Sequence, residues 1–103
     1  MEVGHRYLAR LRGDTILMWC YTSLSSGVNW THQAINGDHR YVYVNGHVAS
    51  RSIVDTHYSI VNKSVGEFSL EIYNAYPVHS GRYECYESGG VRRFGYELNV
   101  TSM

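Results

Sequence analysis

Hydrophobic residues recur at every second position in short runs along this chain. In "TILMWCY", Ile16, Met18 and Cys20 fall on one side, while Leu17, Trp19 and Tyr21 fall on the other. "VNW" sets Val28 and Trp30 on one side, and "FSLEI" does the same with Phe68, Leu70 and Ile72. A period of two is that of a strand with one face in a core, because successive Cβ atoms leave a pleated backbone on opposite sides. No segment joins helical periodicity to the length and caps of a long helix. "YVYVNGHVA" carries Asn45-Gly46 between apolar stretches. Both residues tolerate the positive φ of a two-residue turn, so a tight hairpin is expected there. "YECYESGGVRRFGYELNV" predicts another hairpin, with Ser88-Gly89-Gly90 in its loop and Leu98 and Val100 on the core side of the last strand. Many short strands broken by turn signals imply an all-β sandwich or barrel.

The 103 residues fit one domain, residues 1–103, with no internal repeat or linker. A core of this size gains noticeably from a covalent or quaternary staple. Hydrophobic residues make up 44% and charged residues 17%, a globular balance. Tyrosine departs from the average: ten against two phenylalanines supply flat, amphipathic surface of the kind used to recognise other proteins. The formal net charge is zero, which gives no footprint for nucleic acid or a polybasic membrane patch. No apolar run is long enough to cross a bilayer, and "MEVGHRYLAR" lacks the apolar centre of a secretory signal. Met1 reads as an added initiator, so the chain is expected to be an excised module. Any signal, stalk or membrane anchor would then lie outside it.

The chemistry concentrates in "HSGRYEC", His79 to Cys85. Cys20 and Cys85 stand on different expected strands, each inward by alternation, Trp30 follows the first cysteine, and Tyr83 precedes the second by two residues. This order resembles the immunoglobulin superfamily. The resemblance covers nearly the whole chain. It implies a β-sandwich of two antiparallel sheets joined by a Cys20–Cys85 disulfide, with the Trp30 indole packed on the bridge. It also implies that the Tyr83 hydroxyl bonds back to the backbone where the chain enters strand F, and that Gly81 permits the tight turn there. Closing a loop of about 65 residues is worth roughly 4 kcal/mol in the chain-entropy model. The alternative, two buried free thiols in a cytosolic β protein, would make the tryptophan and tyrosine spacings coincidences.

Room for strands C′ and C″ between Trp30 and Cys85, filled by the Asn45-Gly46 hairpin, looks like the variable, or V, set, with sheets ABED and GFCC′C″. Trp30-Thr31-His32-Gln33 is similar to the W-x-x-Q of antigen-receptor V domains, where the glutamine faces a partner domain. Leu70 and Ile72 before Gly81-x-Tyr83-x-Cys85 resemble their strand E and F signature, and Phe94-Gly95 with Leu98 and Val100 looks like a shortened joining segment. Two features depart from that pattern. The usual ion pair of an aspartate on F with an arginine on D is replaced by His79 and His57, expected to lie close together and to weaken the fold by like-charge repulsion below about pH 6. The second glycine of F-G-x-G is missing, which puts its β-bulge in question.

The resemblance implies an extracellular protein-recognition module, at the cell surface or secreted, docking through the outer GFCC′C″ face. Alternation places Thr31, Gln33, Glu84 and Tyr86 on that face, with Tyr41 and Tyr43 favoured over Val42 and Val44, and Phe94 added. Its partner would be another V domain or a second copy in a two-fold dimer. The loop end, from Tyr21 to Gly27, Asn45-Gly46 and Glu87 to Arg93, offers an alternative surface for glycans or small ligands, and a structural spacer in a longer ectodomain is a third reading. Three N-x-[S/T] triplets mark Asn29, Asn62 and Asn99 as candidate N-glycosylation sites, with Asn62 the best acceptor. Leu17, Trp19 and Tyr21 should face away from the sandwich, where a strand edge, a loop or a neighbouring domain would cover them.

Other signals carry less. Arg12-Gly13-Asp14 spells an integrin-binding tripeptide, yet a glycine between charged residues is equally what a turn before strand B requires. Six histidines show no compact metal-ligand spacing, so no metal or other cofactor is expected. No G-x-S-x-G, H-E-x-x-H or phosphate-cradling glycine loop appears, and the chain is not expected to be an enzyme.

Overall fold

The structure, a computed structural model, describes residues 4–23, 27–44, 46–49, 56–87 and 89–102. Among these residues the chain forms β1 (Gly4–Leu11), β2 (Ile16–Met18), β3 (Val28–Ala34), β4 (His39–Val44), β5 (His47–Val48), β6 (Tyr58–Val61), β7 (Ser69–Ile72), β8 (Gly81–Glu87) and β9 (Arg92–Thr101), with one 3₁₀ turn, Pro77–His79. One sheet runs β1-β9-β8-β3-β4-β5 and the other β2-β7-β6. The alternating apolar positions meet between them: Ile16, Met18, Cys20, Val28, Trp30, Leu70, Ile72, Leu98 and Val100 are all buried in one core.

The Cys20–Cys85 disulfide joins the two layers. Trp30, fully buried in the same cluster, donates its Nε1–H to the Phe68 carbonyl at 2.8 Å, which satisfies the one polar group of the indole. Tyr96 makes a second polar link across the sandwich, its hydroxyl donating to the Trp19 carbonyl at 2.7 Å. At the corner, the Tyr83 hydroxyl donates to the His79 carbonyl at 2.6 Å. Gly81 at φ 135° enters β8 there, and a Cβ at this position would stand 2.2 Å from the Gln33 carbonyl oxygen. Only glycine fits so close an approach in that conformation.

The Asn45-Gly46 hairpin forms as expected, with Val44 opposite His47 and Gly46 at φ 82°; Asn45 itself lies outside the described residues. The β8–β9 hairpin forms too, although Ser88 of its expected loop lies outside the description.

One strand differs from the ABED and GFCC′C″ division. β1, expected beside strand B, runs parallel to β9 from Gly4 opposite Phe94 to Leu11 opposite Thr101. Here Leu8 lies opposite Leu98 and packs against the core, and the hydrogen-bonding edge of β9 is covered, as the Arg12 N–H to Thr101 carbonyl bond of 2.7 Å extends. Alternation in β1 reports which residues share a face and is silent about which edge the strand joins. The three-stranded sheet is therefore BED, with β2 at its edge.

Candidate recognition surface

Side chains on the outer face of the six-stranded sheet follow from the inward positions of Trp30, Tyr83 and Cys85. β3 presents Asn29, Thr31 and Gln33, β8 presents Arg82, Glu84 and Tyr86, and β4 presents His39 and Tyr41. Gln33 and Tyr41 are exposed, Glu84 and Tyr86 are half-buried, and Thr31 is buried beneath its neighbours. Two residues expected here face the other way. Opposite Trp30 stands Tyr43 and opposite Thr31 stands Tyr41, so Val42 is an extra residue of a β-bulge. Val42 is consequently fully buried, and Tyr43 packs against the core instead of joining Tyr41. Phe94 lies opposite Cys85 and shares its inward side, packing on the core. The register shifts between Cys85 and Tyr86, so the ladder is irregular beside Phe94 even without the second glycine.

The middle of the face is built from charge pairs rather than from an aromatic cluster. Arg92 pairs with Glu84, whose other oxygen accepts the Tyr86 hydroxyl at 2.8 Å. Arg82 holds Glu97 through two bonds of 3.0 and 2.8 Å. Burial and then the bond to Glu84 raise the pKa of Tyr86, and the Arg82 guanidinium is held charged by its bond to Glu97. Arg92, expected within the loop from Glu87 to Arg93, is thus a strand residue with a carboxylate partner. Beside these pairs, toward β4, Tyr41 and Tyr86 border a depression of about 420 Å³ that also involves Asn29, Thr31, His39 and Arg40. His39 and Arg40 went unnoticed in the sequence, although counting back from Tyr41 would have placed His39 on this face.

The remaining candidates sit elsewhere. Arg12-Gly13-Asp14 is folded back on the domain: the Arg12 guanidinium lies 4.9 Å from the Tyr76 ring centre, and Asp14 Oδ2 accepts the Leu11 N–H at 3.0 Å. Gly13 N–H bonds the Ala75 carbonyl at 2.8 Å. Leu17 is half-buried while Trp19 and Tyr21 are exposed on the outer side of the three-stranded sheet. Of the sequons, Asn29 is half-buried, and Asn62 and Asn99 are exposed. Part of the loop end, residues 24–26, Asn45 and Ser88, lies outside the described residues.

His57 and His79 do come together, with ring centres 5.0 Å apart. His57 Nδ1–H donates to the Tyr73 carbonyl at 2.6 Å, whereas the fully buried His79 accepts the Tyr76 N–H on Nδ1 at 2.9 Å. His32, also buried, stacks on Tyr83 at 4.2 Å and donates Nε2–H to the Ser80 carbonyl at 2.9 Å. Nothing in residue order marks His32, which reads as an ordinary residue between Thr31 and Gln33. Among the described residues no group of three His, Cys, Asp or Glu side chains is placed to hold a metal ion, and no helix is long and apolar enough to cross a membrane.

A six-stranded sheet with C′ and C″ beyond strand C, a three-stranded sheet facing it, and a B–F disulfide beneath a tyrosine corner decide the architecture. This is an immunoglobulin fold of the variable type. The first immunoglobulin domain of the mouse polymeric immunoglobulin receptor is similar in structure, with a TM-score of 0.73 at 20% identity over 94% of this chain and 90% of that one. No family model and no curated protein matches the sequence. The fold by itself leaves role and partner open, because partners of a shared scaffold vary with surface residues.

Proposed function

We propose that this chain is an extracellular, non-enzymatic recognition module that docks a protein partner, another V-type domain or a second copy of itself, through the outer face of the six-stranded sheet. The observation that carries this reading is the depression bordered by Tyr41 and Tyr86 above the buried Thr31. A partner side chain entering it would meet two tyrosine rings and the Asn29 and His39 polar groups, the combination of rigid aromatic anchors and a polar surround on which interface energy concentrates. The disulfide fits an oxidising compartment. The paired Arg82–Glu97 and Arg92–Glu84 side chains need no partner to neutralise them, which suits a face that is soluble when free and docks reversibly.

Sedimentation of the purified domain across a concentration series tests the self-pairing form, and a panel of V-type domains presented on a surface tests the other. Binding in either format is expected to weaken at least about tenfold with Tyr41→Ala, an exposed side chain whose loss leaves the core intact. A monomer at every concentration that also binds no V-type domain, or binding indifferent to Tyr41→Ala, would overturn the proposal.

A further inference from the structure

On the β1–β9 side of the same sheet lies a second depression, about 450 Å³, formed by Tyr7, Leu8, Ala9, Ile35, Glu97 and Asn99 among others. Tyr7 is 80% exposed, with only the His5 ring edge against it among ring contacts at 5.1 Å between ring centres, and Ile35 is 78% exposed, so two large apolar side chains flank one groove open to solvent. Adjacent exposed apolar groups of this size mark a surface that something covers. The groove also contains the sequon Asn99-Val100-Thr101. In the parallel ladder Asn99 stands opposite Ala9, and Tyr7 stands opposite Glu97. The Asn99 amide therefore rises from the same face as the Tyr7 ring, diagonal to it, with the smallest side chain of that row between them.

Accessibility separates this sequon from Asn29, and its place in the groove separates it from Asn62. Asn99 and Thr101 are both exposed, and among the described residues no hydrogen bond engages the Asn99 amide. Asn29 is half-buried, its threonine Thr31 is only 5% exposed, and it borders the depression assigned to docking. Asn62 is exposed in the loop after β6, away from either depression.

We propose that Asn99 carries an N-linked glycan whose first N-acetylglucosamine lies over Ala9 against Tyr7 and Ile35, so that the domain's own carbohydrate closes this groove. The sugar's C–H face supplies apolar contact to the tyrosine ring, and its hydroxyls remain in water. Attachment uses a lipid-linked oligosaccharyl diphosphate: the Asn99 Nδ2–C1 bond forms, the C1–O bond to phosphate breaks, the lipid diphosphate leaves and Nδ2 gives up one proton. The inference rests on the extracellular half of the function proposed above, since that donor belongs to the secretory pathway. It leaves the Tyr41–Tyr86 depression as the open part of the face.

The test secretes the chain behind a signal peptide from cells restricted to high-mannose glycans. Peptide mass spectrometry reads occupancy at each sequon, and an endoglycosidase then trims every glycan to its first sugar. Asn99 is expected to be occupied, and the trimmed protein is expected to melt about 2–4 °C above Asn99→Gln. That advantage should vanish when Asn99→Gln is compared in a Tyr7→Ser background, and persist in an Asn62→Gln background. A secreted, folded protein with bare Asn99 overturns the proposal, as does a melting advantage that Tyr7→Ser leaves unchanged. Either result leaves the docking function standing, because Tyr41→Ala reads that separately; retention of the chain inside the cell counts against both.

Discussion

Tyr83 shows how much one hydroxyl decides. It donates to the His79 carbonyl, so the 2.9 Å contact between the Tyr58 and Tyr83 oxygens must have Tyr58 as its donor. Burial, followed by the neighbouring Tyr58, pushes the Tyr83 pKa well above its ordinary value and keeps it a donor at physiological pH. Tyr83→Phe keeps the ring stacked on His32 but takes the hydroxyl donor from the buried His79 carbonyl and the acceptor from Tyr58. Urea denaturation should show a loss of about 1–3 kcal/mol. Tyr41→Phe, on the exposed side of the same sheet, should stay within about 0.5 kcal/mol of the parent. Both tyrosines look alike in the sequence, and only the cysteine two residues away distinguishes Tyr83.

Elements impose their own pH dependence. The 3₁₀ turn Pro77–His79 is closed by the Tyr76 N–H bond to His79 Nδ1, which exists only while that nitrogen keeps its lone pair. His57, Tyr58 and Tyr76 surround the ring, and the Arg12 guanidinium stands over Tyr76. Replacing the imidazole removes that acceptor and leaves the Tyr76 N–H of the turn without it. His79→Leu should therefore cost about 1–3 kcal/mol by urea denaturation, and an unchanged midpoint would defeat the account. At the alkaline end β9 supplies the group. Burial pushes the Tyr96 pKa up to about 12. An unfolded tyrosine releases its proton near pH 10, so above that pH the unfolded chain holds fewer protons and stability declines until Tyr96 itself ionises near pH 12. Melting curves from pH 8 to pH 11 should be level at first and then descend.

At the scale of the molecule, one covalent bond and one strand choice set the form. The Cys20–Cys85 bridge spans 65 positions in sequence, for which loop-closure entropy gives roughly 4 kcal/mol. Reduction under native conditions should lower the urea midpoint correspondingly. Residue order marked which faces turn inward: period-two alternation sorted Ile16, Met18, Trp30 and Leu70 toward the core, and the Cys-Trp-Tyr-Cys order, through its resemblance, pointed to the sandwich, its bridge and its corner. Each of those signals is local or rests on side chains whose chemistry demands burial. Which expected residues leave the outer face, and how its charges pair, emerged only in three dimensions. An extra residue at Val42 turns Tyr43 into the core, Cys85 draws Phe94 after it, and Arg92 finds Glu84 across the β8–β9 ladder. The partner strand of β1 was settled in the same way, and with it the groove that brings Tyr7 beside Asn99. Alternation records the parity of side chains within a strand, whereas bulges and strand pairing shift that parity between strands through hydrogen bonds among distant backbone groups, which leave no mark on residue order.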